Sequence, residues 1–280
     1  MDIRFKFVPS YNSSEYSKLN KCIFFMHIPK SGGTTIDHIF AKLAGITGNF
    51  KYERFKHSLD HKKTKLFYSN SKNQVPKFIS GHLDYNFAGS SSNFFKCAVV
   101  REPSSRVISH YKFTLYKLKK NPLDYTFEQF INDEFRNNRD NLITRHFCGM
   151  LNFKKKIDKF DKDEAIKNIK LFDIVQTIEN WDLFLSELLT KFGFPSVLYS
   201  RYQEHKYSFE YQPSKINYDL INNFFEYDFD IYSTICNLNV KNKNFTKKDY
   251  NKNICIVSPY FNSENRIYHE DEVKKMFIKN

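Results

Sequence analysis

The chain has 280 residues, 41% hydrophobic, 18% aromatic and 27% charged, which excludes a disordered chain, a collagen-like repeat and a coiled coil. That length can bury enough surface for one large α/β domain, or two small ones, without a disulfide or metal staple. The formal net charge of +13 fits the drift of an AT-rich genome toward Lys, Asn, Phe, Tyr and Ile, or else attraction to polyanions such as nucleic acid, acidic glycans or nucleotide phosphates.

Residues 1–19 read as an N-terminal extension. No apolar stretch follows the charges of Met1-Asp2-Ile3-Arg4-Phe5-Lys6, so no signal peptide is expected. The longest apolar run, Cys22–Met26, is far shorter than the about 20 residues of a membrane span. The five cysteines are scattered without a C-x-x-C pair, as reduced thiols are, so a cytoplasmic location is the default expectation.

Cys22–His27 predicts a buried strand. Ile36, Ile39, Phe40, Leu43 and Ala44 follow at helical spacing, with Gly45 placed to close the helix. Short strands are expected at Lys77–Ser80 and Phe94–Val100. Pro103 suits a first helical turn, and Val107, Ile108, Tyr111, Leu115 and Leu118 form the stripe behind it. Phe172–Thr177 predicts another strand. Trp181, Phe184, Leu185, Leu188, Leu189 and Phe192 predict a helix ending at Gly193, and Leu220, Ile221, Phe224, Phe225 and Ile231 one more. Strands alternating with helices imply an α/β fold, with a central, mainly parallel sheet flanked by helices on both faces. Polar segments near 51–74 and 114–140 read as insertions in a main domain spanning 20–240. Residues 241–280 read as a linker and a small appendage.

One segment carries chemistry: His27-Ile28-Pro29-Lys30-Ser31-Gly32-Gly33-Thr34-Thr35. It follows a buried strand and opens a helix, as a phosphate-binding loop does. Two glycines let backbone approach an anion, the helix start offers free N–H groups and positive dipole, and the threonines add hydroxyls. A Walker A loop has its Lys after the second glycine. Here Lys30 precedes both, and the later strand ends in Arg101-Glu102 rather than in an Asp that holds magnesium. Both departures weigh against an ATPase or kinase.

Pro-Lys-Ser-Gly-Gly-Thr-Thr at 29–35 resembles the 5′-phosphosulfate loop of sulfotransferases that use 3′-phosphoadenosine 5′-phosphosulfate (PAPS). The stretch Val99-Val100-Arg101-Glu102-Pro103-Ser104-Ser105-Arg106-Val107-Ile108-Ser109-His110-Tyr111 resembles their 3′-phosphate segment. Gly81-His82-Leu83-Asp84-Tyr85, Asn141-Leu142-Ile143-Thr144-Arg145 and Ala165–Leu185 are similar to further segments of the carbohydrate-type branch, which includes the uronosyl 2-O-sulfotransferases. The likeness covers roughly residues 20–235.

It implies a three-layer, P-loop NTPase-like fold and transfer of a sulfuryl group from PAPS, with PAP as product. Pro29, Lys30, Ser31, Gly32, Gly33, Thr34 and Thr35 would hold the 5′ end, and Arg101 and Ser109 the 3′-phosphate. Lys30 would neutralise the leaving oxygen and His82 would be general base. Arg145 and Asp84 would meet the acceptor, expected to be a saccharide. No metal is called for, because Lys30 and a helix terminus can supply the positive charge. Arg201 and Lys206 would belong to a late loop over the nucleotide, and Lys62, Lys63 and Lys65 could draw an acidic glycan. The competing readings are a P-loop nucleotide hydrolase or kinase, an inactive PAP binder, and a non-catalytic polyanion-binding protein. Nucleic acid is not an expected partner, since no recognisable binding motif accompanies the charge.

Overall fold

A computed structural model of the protein describes residues 6–11, 21–47, 51–55, 77–151, 154–200, 211–240, 252–257 and 266–273. Along them run β1 (Lys6–Val8), β2 (Cys22–Met26), α1 (Gly33–Thr47), β3 (Lys51–Phe55), β4 (Lys77–Gly81), α2 (Tyr85–Ala88), β5 (Phe94–Val100) and α3 (Pro103–Leu118). Then come α4 (Phe127–Arg136), α5 (Leu142–Cys148), α6 (Lys159–Ile169), β6 (Ile174–Thr177), α7 (Trp181–Lys191), β7 (Ser196–Tyr199), α8 (Lys215–Phe224), α9 (Glu226–Val240), β8 (Asn253–Val257) and β9 (Tyr268–His269).

Five strands form one sheet in the order β3-β4-β2-β5-β6, every neighbour pair parallel. Side chains alternate across a strand, and here both faces are apolar. Ile23 and Phe25 of β2 and Phe95, Cys97 and Val99 of β5 join a core with α1 and α7. Phe24 and Met26, with Ala98 and Val100, join the opposite core with α5, α6 and α9. Helices therefore cover both faces, and the result is a three-layer α/β fold. Among the described residues no helix is long and apolar enough to cross a membrane.

A second sheet runs β1-β7-β8-β9, with β7 and β8 parallel and the outer pairs antiparallel. Val8, Val197, Tyr199, Cys255 and Val257 pack into the same core as α1 and α7. The segments expected to be peripheral, at both ends of the chain, thus supply strands to this sheet.

Several local expectations need correction. Gly45 does not close α1, which runs to Thr47; Gly45 has an ordinary backbone and open space around it. The polar segment from 51 onward begins with edge strand β3, whose Lys51, Glu53 and Arg54 match no apolar pattern because an edge strand is half solvated. Residues 56–74, and with them Lys62, Lys63 and Lys65, lie outside the described residues. The stripe from Leu220 to Ile231 belongs to two helices, broken at Phe225.

The break has a cause. Asp228, near the start of α9, accepts hydrogen bonds from the N–H groups of Ile143 and Thr144 and from the Thr144 hydroxyl at 2.8–3.1 Å, capping α5. Asn141 returns the contact, its Oδ1 accepting from the N–H groups of Tyr227 and Asp228 at 3.0 and 3.2 Å. Each helix start is capped by a residue from the other, which satisfies otherwise orphaned donors.

Candidate functional site

Ligands of open parallel sheets bind beyond the carboxyl ends of the strands, where the chain leaves a central strand in opposite directions. Here β2 is that strand, with β4 on one side and β5 on the other. The three loops that leave β4, β2 and β5 carry His82, Lys30 and Arg101.

The β2 loop turns sharply. Lys30 has φ +69° and Gly32 φ +82°, both in the left-handed region. For Gly32 that conformation is free; for Lys30 it costs roughly 1–2 kcal/mol. Strain of this kind persists where the surroundings demand it, and it concentrates at functional sites. A Cβ on Gly32 would come within 2.9 Å of the Trp181 ring, and one on Gly33 within 2.2 Å of the His27 ring. Both positions need glycine because aromatic rings lie flush against the turn. The Ser31 hydroxyl and the Trp181 indole N–H are buried there without a hydrogen-bond partner among the described residues. Helix α1 has no acidic residue in its first turn. Thr34 is half-buried and Thr35 buried beside the helix start.

The ammonium of Lys30 lies 4.5 Å over the Phe113 ring of α3. Phe113 is one turn beyond Ser109, so Ser109 faces the same cleft. Burial, and then the neighbouring Arg101 guanidinium, lower the Lys30 pKa to about 8. Two cations thus crowd the open start of α1. The start of α3 is different: Glu102 accepts from the N–H groups of Ser104 and Ser105 at 2.9 and 2.7 Å, and fills it.

His82 follows Gly81 at the end of β4. Its Nδ1 lies 3.0 Å from the backbone carbonyl oxygen of His27. A carbonyl only accepts, so Nδ1 carries the proton and Nε2 the lone pair. Burial, then proximity to His27, depress the His82 pKa to about 4, so the ring is neutral at physiological pH. Behind it His146 is fully buried on α5, its Nδ1 within 2.7 Å of the Leu142 carbonyl.

Lys30 and Arg101 are therefore close together at the turn, His82 meets the turn through His27, and Ser109 lies on the face of α3 that carries Phe113. Arg145 and Asp84 are instead buried. Arg145 is 1% exposed, and its guanidinium donates to Asp140 Oδ1 and the Lys155 carbonyl at 2.7 Å and to the Asp140 carbonyl at 2.8 Å. Asp84, also buried, caps α2 by accepting from the Asn86 N–H. Pro29 is half-buried in the turn. Arg201 and Lys206 lie outside the described residues.

Three residues at the site escaped the sequence. Asp37 on α1 lies 3.3 Å from His27 Nδ1, and 3.1 Å from Arg54 Nε on β3. Trp181 looked like core filling and is that, but it also walls the turn at Gly32. A charged residue one turn inside an otherwise apolar helix start was the available signal for Asp37. Nothing singled out Arg54. Among the described residues, no three His, Cys, Asp or Glu side chains come together as a metal-holding group.

A comparison with protein families finds that the model for the family described as sulfotransferase matches residues 18–233, more than half of the chain. No curated protein matches the sequence.

Proposed function

The chain belongs to the sulfotransferase family, and from that premise we propose that it transfers a sulfuryl group from PAPS to a hydroxyl of a saccharide acceptor. Sulfotransferases in general take PAPS as sulfate donor, which when bound supplies an activated sulfur for in-line displacement by the acceptor oxygen. The residues of the turn suit such a donor: the Ser31 hydroxyl, buried without a partner among the described residues, lies at the start of α1, where a helix leaves N–H groups unpaired.

In this reading the N–H groups and hydroxyls of 31–35 hold the 5′ end. Lys30 neutralises charge that develops on the leaving oxygen. Arg101 and Ser109 grip the 3′-phosphate, the guanidinium being a permanent, bidentate donor. His82 Nε2 takes the proton of the attacking hydroxyl. Asp140 and the carbonyls of Met150 and Lys155 hold Arg145, which positions α5 behind His82. Support for a saccharide comes from the Gly81–Tyr85 and Asn141–Arg145 segments, which resemble the carbohydrate-type branch.

The observation that carries the proposal is the closeness of the Lys30 and Arg101 cations beside the start of α1, a helix whose own first turn carries no acidic residue. Calorimetric titration with adenosine 3′,5′-bisphosphate, with ATP and magnesium in comparison, is the first test, followed by a labelled-sulfate transfer screen across glycans. PAP is expected to bind more tightly than ATP. Hydrolysis of ATP with indifference to PAP would replace this reading with a nucleotide hydrolase.

A further inference from the structure

His27 precedes the loop, and the mechanism gives it no step. Yet it touches both halves of the site. Its ring lies against the loop backbone so closely that a Cβ on Gly33 would sit 2.2–2.5 Å from three of its atoms. Its carbonyl oxygen accepts from His82 Nδ1 at 3.0 Å, and the two imidazole centroids are 4.6 Å apart. What fixes His27 therefore fixes the seat of the donor loop and the orientation of the base.

A buried carboxylate holds it. Asp37, 3% exposed, stands one turn into α1 with Oδ2 3.3 Å from His27 Nδ1. The same oxygen lies 3.1 Å from Arg54 Nε on the edge strand, while Tyr52 and Ser80 also face the carboxylate. Burial alone would raise the carboxyl; the contacts with His27, Ser80 and Arg54 outweigh it, so Asp37 is held below its ordinary value and is ionised at neutral pH. An unpaired carboxylate in this setting would be costly, so its arrangement with His27 and Arg54 is an enforced one.

We propose that Asp37 is a positioning residue that acts through His27, locking His82 in its Nδ1–H tautomer and seating Gly33 of the loop. The claim about Gly33 rests on the sulfotransferase reading, because it concerns the donor; the claim about His82 is a property of the ligand-free protein. The device suits a reaction in which attacking and leaving groups must line up, where an error near 1 Å costs on the order of a hundredfold in rate.

The test is Asp37→Asn, which keeps the side-chain volume and removes the charge. Long-range proton–nitrogen NMR of the histidine rings reads the tautomer, with the His82 signals assigned by their loss in His82→Ala. Calorimetry with PAP reads the loop. In a variant that melts cooperatively, the His82 signals are expected to move from a single Nδ1–H form to a mixture, and PAP affinity to fall roughly tenfold. Where Asp37→Asn does not fold, His27→Gln, which keeps the carbonyl but removes the ring, is read in the same two ways. A His82 that stays wholly in the Nδ1–H form overturns the proposal whatever PAP does. Unchanged PAP affinity overturns the part that concerns Gly33. Failure of the wild-type protein to bind PAP strikes the function proposed above, and leaves the tautomer to decide this one.

Discussion

At the scale of single residues, burial lowers the pKa of the two nitrogens on which the proposed mechanism rests, favouring the neutral base at His82 and opposing the ammonium of Lys30. His82, lowered to about 4, is neutral over the working range; Lys30, lowered to about 8, is charged below that value. For the free enzyme, kcat/KM should therefore be flat through neutrality. It should fall as pH rises past about 8 and Lys30 loses its proton, with no acid limb near the ordinary histidine value. An acid limb at about 6.5 would mean that a histidine of ordinary pKa controls turnover instead. His82→Ala should keep PAP affinity while losing about 10²–10⁴ in turnover, the usual worth of a positioned base. Turnover at the wild-type rate would remove His82 from the mechanism.

Lys30 carries a further consequence. The folded protein holds this ammonium below its unfolded pKa, so burying it opposes folding throughout the neutral range, and its backbone is left-handed as well. Lys30→Gly should abolish transfer yet leave stability unchanged or raise it by about 1 kcal/mol, seen as a higher midpoint in urea. A fall in that midpoint would show that Lys30 holds the fold rather than the donor. Lys30, its glycines, Arg101 and His82 were legible because each lies in a contiguous motif. Asp37 and Arg54 were not: their roles come from contacts between α1, β3 and the residue before the loop, which no local pattern encodes.

At the scale of elements, the two glycines of α1 make opposite predictions. Gly45 is exposed in the last turn of α1, with no described residue within 4 Å of where a Cβ would stand, so Gly45→Ala should stabilise by about 0.5–1 kcal/mol with activity intact. Gly33→Ala must displace the His27 ring, and should weaken PAP binding and transfer together. Thermal melts and PAP titration of the two variants side by side check this; an unaffected Gly33→Ala would mean the turn adapts. Elements with strong periodicity, such as β2, β5, α3 and α7, were legible. Edge strand β3 was not, because half its surface meets water, nor was the α8–α9 break, because Asn141 and Asp228 cap helices far apart in sequence.

At the scale of the whole molecule, the second sheet changes what the last residues mean. Ile254, Cys255, Ile256 and Val257 are each at most 2% exposed, and two of them belong to the core shared with α1 and α7. Removing residues 252–280 uncovers side chains worth about 1.5–3 kcal/mol each, against a total stability of about 5–15 kcal/mol. The truncated chain should therefore fail to melt cooperatively. A cooperative melt near the wild-type temperature would show the sheet to be dispensable. Composition alone read this region as a linker and an appendage, because a short apolar strand after a run of Lys and Asn resembles a tail until its partner β7 is known.

The pairing of Lys6 with Tyr199 bears on how the chain matures. During synthesis β1 emerges well before β7 and must wait, edge groups unmatched, until that strand has left the ribosome. The other flank of β7 is closed later still, when Asn253–Val257 lines up beside Ser196–Tyr199. Such distant closures are slow steps, and an open strand edge is what chaperones shield. Completion of this sheet is thereby tied to synthesis of Asn253–Val257.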